Sequence, residues 1–419
     1  MQYTEQIADG VNFKVIPATH FKSEVISLYI RRTLTAETVT MNNILPGVLS
    51  DGTEKYPTET HISDRLDELY GASLSMGTDK SGETQVIRIQ CGFLSPKYSY
   101  SDIIEDVLDL ISELLLHPYL ENGAFSHKYT ELEKNAQKEL ILSSINDKAY
   151  YAKQKLIAHM CEKEPFGIPE YGYISDLDLI DEKKLYDCYR EVIKTSPIDI
   201  IYTGAEDKEK VSALIKAHFN FSDRNIVKIP EPKIDVKVKK PKYFEEKMDI
   251  VQAKLVMGFR TYSDVKTDDE FTDRVYAMVL GGGAQSKLFR NVREKHSLCY
   301  SISASMSKYK GLMFIQTGIK TSDYDKARNL IEKELDDMKN GEITEEELSQ
   351  AKKLLVGVIR SVNDRVYSLS DFYYDLGISG KNLNLEEIVD KINAVTVKSI
   401  RKRSEKITLD TIFLLKGEE

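Results

Sequence analysis

The residues with the most reactive side chains are scattered along the sequence. No two of the seven histidines are three or four residues apart, the spacing that places a pair of imidazoles on one helix face for a metal. The four cysteines form no CxxC pair, so we expect neither a disulfide framework nor a thiolate zinc site. No GxSxG segment presents a serine nucleophile, although histidines distant in sequence could still converge in the fold. The residues concerned are His20, His61, His117, His127, His159, His218 and His296, with Cys91, Cys161, Cys188 and Cys299.

A run of three glycines, Gly281-Gly282-Gly283, is the segment most easily taken for a phosphate-binding loop. It lacks the GxxxxGK[ST] spacing, and the residues before it, 271–280, have the periodicity of a helix rather than of a strand. We therefore expect these glycines to serve a tight turn or a close approach of two backbones, and not to bind a nucleotide.

Length and composition indicate a protein of more than one domain. The 419 residues exceed what one ordinary core uses, and 41% hydrophobic with 30% charged residues is typical of soluble globular chains. No apolar stretch is long enough for a membrane-spanning helix, and residues 1–5 lack a signal-peptide pattern, so we predict a cytoplasmic protein that is not membrane-bound. The net charge of −9 argues against nucleic acid as the main partner.

An internal repeat divides the chain into two similar halves. Each half predicts a strand, two consecutive helices, and later a helix that leads into a strand, from alternating and helical periodicities. The second helix of the second half should begin with a capping box, Thr344 to Glu347. The predicted elements are 83–92, 103–115, 129–145, 182–193 and 198–203, then 311–318, 327–338, 344–358, 396–407 and 411–415. The residues expected to face inward on the second helices are Leu132, Ala136, Leu140 and Ile141, and Leu348, Ala351, Leu355 and Val358.

These patterns predict an α+β fold. We expect two homologous halves, each an α/β-roll-like unit with an antiparallel-rich sheet and helices on one face, joined by a linker and enclosing a cleft. The predicted domains are 1–222 and 246–419, and the first strand of the second half falls at 250–259. Residues 223–245 contain three prolines and alternating charges, which favours an extended linker.

Residues 280–301, LGGGAQSKLFRNVREKHSLCYS, carry a resemblance to a known family. This signature segment resembles the second-domain pattern LGGG-x-x-S-x-L-F-x-x-(V/L)-R-E-x-x-x-L-x-Y-S of the pitrilysin/insulinase zinc metallopeptidases. It is most similar to their short bacterial and mitochondrial-processing-peptidase-like members. The order of the repeat and the linker also fit, so the resemblance covers essentially the whole chain.

In that family the arginine and the tyrosine of the pattern hold the substrate backbone, and they correspond to Arg293 and Tyr300. A guanidinium and a phenol can both donate hydrogen bonds to a peptide carbonyl or to a developing oxyanion. The alternative is that Arg293 forms a surface ion pair and that Tyr300 is packed within a strand.

The resemblance also implies a zinc motif, HxxEH, that this sequence has lost. The family's Gly-Thr pair after the motif matches Gly52-Thr53, which aligns residues 43–47 with HxxEH. Asn43 and Gly47 then take the two histidine positions, and Pro46 takes the position of the glutamate that activates water. Glycine and proline carry no side-chain donor, and we expect the proline to bend or break the helix.

The remaining zinc ligand of active members comes from a later helix, seven residues after an essential glutamate. Glu133 fits that glutamate, which places Leu140 on the ligand position, although Glu139 is only one residue away. We therefore predict that the chain is not an enzyme and binds neither zinc nor another cofactor.

The resemblance implies a division of labour between two chains. In several members of the family an active HxxEH subunit pairs with a silent one, so we predict a peptide-binding subunit whose zinc belongs to an active partner of the same family. A homodimer stays open. The alternatives are a stand-alone peptide-binding or scaffold protein of the same fold, or a peptidase with an unrecognised site.

Overall fold

A computed structural model describes residues 3–417. Contacts group the chain into two compact units. Unit 1 consists of the residues up to Leu142 together with Glu170–Pro230 and Val362–Ile378, and unit 2 consists of Ser143–Pro169, Glu231–Ser361 and the residues from Ser379 onward. Each unit therefore includes a segment from the other half of the sequence. The predicted boundaries at 222 and 246 follow chain order, whereas these units interleave along the chain.

The strands of unit 1 form a six-stranded sheet and a short hairpin. They are β1 (Tyr3–Ala8), β2 (Val11–Pro17), β3 (Ser23–Thr33), β4 (Ser73–Ser81), β5 (Thr84–Leu94), β6 (Leu120–Glu121), β7 (Ala124–Phe125) and β8 (Ile198–Gly204). The order in the sheet is β1-β2-β8-β3-β5-β4, and β6 pairs with β7.

The strands of unit 2 form one five-stranded sheet. They are β9 (Lys242–Lys247), β10 (Ala253–Arg260), β11 (Cys299–Ser307), β12 (Leu312–Ile319) and β13 (Thr408–Lys416), in the order β11-β12-β10-β13-β9. Strand β9 lies across the end of the predicted linker and precedes the strand expected at 250–259. Its charged residues and mostly exposed side chains are typical of an edge strand, which explains why hydrophobic periodicity does not indicate it.

The two sheets share one topology. The order β2-β8-β3-β5-β4 in unit 1 matches β9-β13-β10-β12-β11 in unit 2. In both of these five-strand orders the first pair, β2-β8 or β9-β13, is parallel and the other pairs are antiparallel. The predicted α+β class with two similar, antiparallel-rich halves is confirmed.

Fourteen α-helices occur in the described residues, and they include the six that the repeat predicts. In chain order they are α1 (Val39–Asp51), α2 (Glu59–Glu68), α3 (Ile104–Leu116), α4 (His127–Ser144), α5 (Lys148–Met160), α6 (Ile174–Leu177), α7 (Glu182–Thr195), α8 (Lys208–His218), α9 (Glu270–Gly281), α10 (Tyr324–Asn340), α11 (Glu345–Ser361), α12 (Val366–Ser379), α13 (Leu385–Asn393) and α14 (Val397–Ser404). The capping box before α11 is confirmed, because Thr344 and Glu347 each accept a hydrogen bond from the backbone N–H of the other.

The predicted inward face of α4 is wrong. Leu132 and Leu140 are 52% and 41% exposed, and the buried residues of α4 are Thr130 and Gln137. The Gln137 amide donates to the carbonyl of Tyr171, so a polar contact rather than an apolar stripe orients this helix. On α11, Leu348, Ala351 and Leu355 are buried as predicted, but Val358 is exposed.

The two faces of the unit 1 sheet are covered differently. One face contributes Val11, Ile26 and Leu28 to an apolar core that includes residues of α1, α3 and α7. The opposite face is covered by α12, where the rings of Tyr29 and Tyr374 stack with centroids 3.9 Å apart. The helices therefore lie mainly on one face, as predicted, with a single helix added on the other.

Unit 2 uses α5 in the same way. Apolar residues of α5, including Leu156 and Met160, share a core with Val256, Phe314 and Phe413 of the sheet. Helix α5 follows α4 in the sequence, and α12 follows α11. Because α4 and α11 are equivalent in the repeat, α5 and α12 are equivalent too, and each belongs to the unit formed mainly by the other half of the sequence. Across residues 3–417, no helix combines the length and the apolar character that crossing a membrane requires.

Candidate functional site

Helix α1 carries the three positions that align with HxxEH. It is helical from Val39 to Asp51, and Pro46 lies inside it. Of the expectation that Pro46 bends or breaks this helix, the break is therefore wrong. A proline removes one backbone N–H, and the buried side chains of Ile44, Leu45 and Val48 hold the helix against the core on both sides of it.

Asn43 is bound by its neighbours within unit 1. Its side-chain nitrogen donates to the carbonyl oxygens of Val39 and Glu170, both at 2.9 Å. Its side-chain oxygen accepts a hydrogen bond from the hydroxyl of Thr78. Because these bonds use both amide protons and the carbonyl oxygen, Asn43 serves the fold and is not preorganised as a metal ligand.

Gly47 faces the carboxylate of Glu133 on α4. A Cβ atom added at Gly47 would overlap the end of the Glu133 side chain, so this carboxylate occupies the space where a side chain at position 47 would start. The structure thus brings together Gly47 and Glu133, two positions that the family resemblance assigns to the lost zinc site. A histidine at position 47 requires the Glu133 side chain to move.

The predicted ligand position on α4 is Leu140. Seven residues separate it from Glu133, so helical geometry places both on nearly the same face, whereas Glu139 points away from that face. Leu140 and Gly47 offer no donor, and Asn43 is engaged, so these side chains do not fit zinc. Within the described range 3–417, no group of three or more His, Cys, Asp or Glu side chains could hold a metal ion.

An acidic cluster missed by the sequence analysis lies at the end of α1. Asp51 is 7% exposed, and its Oδ2 atom has no hydrogen-bond partner among the described residues. Burial, followed by repulsion from Glu133 and Glu59, raises the pKa of the Asp51 carboxyl to about 7. Burial and Glu59 also raise the pKa of Glu133. The only sequence signal is that Asp51 follows Gly47 by one helical turn.

The signature segment forms a different kind of site, in unit 2. Arg293 lies in a short π-helix, Phe289–Glu294. Its guanidinium carbon is 4.3 Å from the ring centroid of Phe289 and 5.3 Å from that of Tyr300. Arg293 forms no ion pair with any residue in the described part of the chain, so the alternative of a surface ion pair does not hold. The structure brings Arg293 and Tyr300 together.

Tyr300 lies at the start of β11, an edge strand of its sheet. The pairing of β11 with β12 shifts by one residue between Cys299 and Ile302, so Tyr300 lies within a β-bulge. The Tyr300 side chain is 80% exposed and is therefore not packed within the strand. Bulges at sheet edges redirect side chains, and this one presents the phenol to solvent beside Arg293.

The glycine run positions this strand. Gly281 ends α9 against β11, and a Cβ atom added to it would lie 2.8 Å from the Cβ of Ala304 and closer still to the Ala304 backbone nitrogen. A close approach of two backbones therefore requires glycine here, as predicted from the sequence. The segment is also tied to α11, because Arg290 forms an ion pair with Glu347 at 2.7 Å.

Comparisons with known proteins find relatives that cover the whole chain. Residues 180–355 match the family described as "Peptidase M16 inactive domain". The chain is 32% identical over 425 residues to "Probable inactive metalloprotease YmfF" of Bacillus subtilis (strain 168), covering 100% of this chain and 99% of the relative. It is 24% identical over 333 residues to "Non-peptidase homolog YmxG" of Helicobacter pylori, covering 78% and 73% of the two chains.

A solved structure extends the likeness to the fold. The crystal structure of a conserved protein from Enterococcus faecalis V583 matches with a TM-score of 0.92 and 27% identity, covering 100% of this chain and 99% of that one. Together with the full-length relative, this shows that the chain is a non-catalytic member of the pitrilysin/insulinase (M16) family of metallopeptidases.

Proposed function

We propose that this chain is a non-catalytic subunit that binds a peptide through Arg293 and Tyr300 and supports an active, HxxEH-bearing subunit of the same family in a heterodimer. One observation carries the proposal. Arg293 has no carboxylate partner in the described chain, and Tyr300 is 80% exposed beside it. An unpaired guanidinium and an exposed phenol, both held in place, are suited to a ligand that accepts hydrogen bonds.

The chemistry of this pair favours a peptide backbone. The rings of Phe289 and Tyr300 lie close to the Arg293 guanidinium, and no carboxylate of the described residues pairs with its N–H groups. The Tyr300 hydroxyl adds a further donor. Because β11 is an edge strand, its unpaired backbone groups can pair with an extended peptide. A substrate segment would then lie along β11 with its carbonyl groups near both side chains.

The zinc would belong to the partner. On this chain Gly47 and Leu140 lack donors and the Asn43 amide is committed to hydrogen bonds, so we propose that the chain binds no zinc. The partner we propose is an active subunit of the same family, in the cytoplasm. The net charge of −9 does not favour nucleic acid, and we propose no membrane partner.

Reconstitution tests the proposal. The purified chain, an HxxEH-bearing family member from the same organism, and their mixture are each assayed for cleavage of a quenched fluorescent peptide library. The mixture should cleave faster than the HxxEH member alone, and the chain alone should not cleave. Metal analysis after dialysis should find less than about 0.1 zinc per chain in the isolated subunit.

Other outcomes identify the alternatives. Peptide binding by the chain alone, with no association with any HxxEH member and no gain in cleavage, would indicate a stand-alone binding or scaffold protein. Cleavage by the isolated chain that survives further purification would indicate a peptidase with an unrecognised site. Near one zinc per chain, lost in Glu133→Gln or Glu139→Gln, would show that α1 and α4 still hold a metal.

A further inference from the structure

The face of the unit 1 sheet beneath α12 encloses a cavity that the proposed function does not use. Its volume is about 340 Å³, within the range of small-molecule sites. Strands β2, β3 and β8 form its floor and α12 lies over it. We call it the α12 cavity. The residues used below are Asn12, Lys14, Arg31, Asp199, Tyr373 and Gly377, all of which line it.

Two cations and one carboxylate face this cavity. One oxygen of Asp199 accepts from the Asn12 amide at 3.1 Å, and the other, which accepts no hydrogen bond from the described residues, lies 3.1 Å from the Arg31 guanidinium as an ion pair. Asp375, the acidic residue that follows Tyr374 on α12, does not line the cavity. One positive charge therefore stays without a counter-charge among the lining residues.

Both cations retain unused donors. The Nε atom of Arg31 is buried and has no hydrogen-bond partner among the described residues. The Lys14 ammonium donates to the carbonyl of Tyr373 at 3.4 Å, a long bond that uses one of its three protons. Burial lowers the pKa of Lys14, and the opposing effect of Asp199 is smaller. Both side chains are partly buried, so donors that find no acceptor carry a desolvation cost that an anion in the cavity would reduce.

Gly377 keeps space open above the lysine. A Cβ atom at this position would lie 3.5 Å from the Lys14 nitrogen, so any larger side chain on this turn of α12 would enter the cavity. The glycine lies in the last turn of α12, and alanine favours a helix more than glycine does. The fold therefore forgoes helix stability at the position that faces the ammonium.

The equivalent face of unit 2 is closed. Arg260, near the same end of the equivalent strand β10, is 1% exposed and donates to Asp410 at 2.8 Å and to Glu164 at 2.6 Å. Lys310 lies 2.7 Å from the same Glu164. Two cations there meet two carboxylates, and apolar residues of α5 fill the rest of the face. The same place in unit 1 lacks one carboxylate and is hollow.

We propose that the α12 cavity binds a small organic anion whose carboxylate or phosphate oxygens accept hydrogen bonds from Lys14 and Arg31. Such a ligand would supply the second negative charge, which in unit 2 comes from the protein because Glu164 and Asp410 pair with two cations. The α12 cavity is independent of the peptide-binding function, because it is formed by other residues in the other unit.

Calorimetric titration of the full-length protein tests the site. Inorganic phosphate, succinate and the uncharged succinamide are the probes, and thermal unfolding is recorded with each. Saturable binding with one site per chain is expected for phosphate or succinate and not for succinamide. Binding of phosphate alone assigns a phosphate ligand, and binding of succinate alone assigns a carboxylate ligand.

Two variants place the binding in the cavity. Lys14→Met should weaken affinity by roughly tenfold or more through loss of a charged hydrogen bond, whereas the exposed Lys138→Met should change nothing. Gly377→Met keeps both charges and fills the space, so it should abolish binding even if Lys14→Met folds poorly. Absence of saturable binding by either anion, or binding unchanged in Gly377→Met, would overturn the proposal.

Discussion

Helix α1 and the signature segment differ in how their polar groups are satisfied. On α1, Asn43 is held by three hydrogen bonds, and the Glu133 carboxylate occupies the space beside Gly47. In the signature segment, the Arg293 side chain contacts two aromatic rings and forms no ion pair within residues 3–417, and Tyr300 points to solvent from a β-bulge. The polar groups of the first region are used in contacts within the fold, whereas the second region has hydrogen-bond donors that the fold does not use. Under the proposed function, the second region would bind a ligand, whereas the first region offers no site for zinc.

The largest expected effect is on the second region. In the reconstituted mixture, Arg293→Ala should reduce assisted cleavage by roughly 100-fold, because it removes donors aimed at the peptide backbone. The melting temperature should change little, since only the contacts with the rings of Phe289 and Tyr300 are lost. Arg365→Ala is the matched control, because this exposed arginine forms no side-chain hydrogen bond or ion pair in the described chain. Equal activity of the two variants would mean that the donors of Arg293 are not used for a ligand.

A pair of glycine substitutions compares the packing of the two regions. Gly281→Ala should lower the free energy of unfolding by about 2 kcal/mol, because its Cβ meets the backbone of Ala304, which cannot move without shifting β11. Gly47→Ala should cost less than about 0.5 kcal/mol, since the flexible end of Glu133 can swing aside and alanine favours the helix. Urea unfolding of both variants measures the difference. Equal costs would show that Gly47 is as tightly enclosed as Gly281.

The acidic cluster beside α1 predicts a pH dependence of stability. The pKa of Asp51 is about 7 in the folded protein, against an ordinary value of 3.8, so the native state retains a proton that the unfolded chain releases. Its contribution to stability is therefore fully present below about pH 4 and is lost as the pH rises through about 7. Asp51→Asn should stabilise the protein at about pH 8 by about 1 kcal/mol, allowing for solvent screening.

Unfolding free energies measured at about pH 5 and about pH 8 check this prediction. The stability of Asp51→Asn should fall less between the two than that of the unsubstituted protein. The exposed Asp64→Asn serves as control and should keep the original slope. A slope unaffected by Asp51→Asn would mean that this carboxyl is not the group that titrates.

The smallest expected effect is that of Tyr300→Phe. Loss of one exposed hydroxyl donor should weaken peptide binding by roughly threefold, because a neutral hydrogen bond contributes little against water. Tyr300→Phe keeps the ring beside Arg293, whereas Tyr300→Ala removes it, so Tyr300→Ala should have the larger effect. Fluorescence anisotropy with a labelled library peptide measures both. If Tyr300→Phe weakened peptide binding as much as Arg293→Ala does in the same assay, the hydroxyl would contribute as much as the guanidinium.

Much of the fold follows from local patterns. The alternation around β5 and β12 and the helical periodicity of α3 and α10 predict the repeat, because each half must bury the same apolar surface. Strand β9 is missed because an edge strand buries little. The face of α4 is predicted wrongly because Gln137 and its bond to the Tyr171 carbonyl decide which side is inward.

The family and the loss of catalysis can be read from the amino-acid sequence, because the signature segment is contiguous and a glycine, a proline and a leucine lack donors in any conformation. What replaced the lost chemistry, and which donors stayed available, became clear from the three-dimensional arrangement. Three features depend on contacts between residues far apart in the chain. They are the position of the Glu133 carboxylate beside Gly47, the lack of an ion pair for Arg293 in the described chain, and the exchange of α5 and α12 between the two halves. Such contacts follow from packing and charge balance in three dimensions, and no local spacing encodes them.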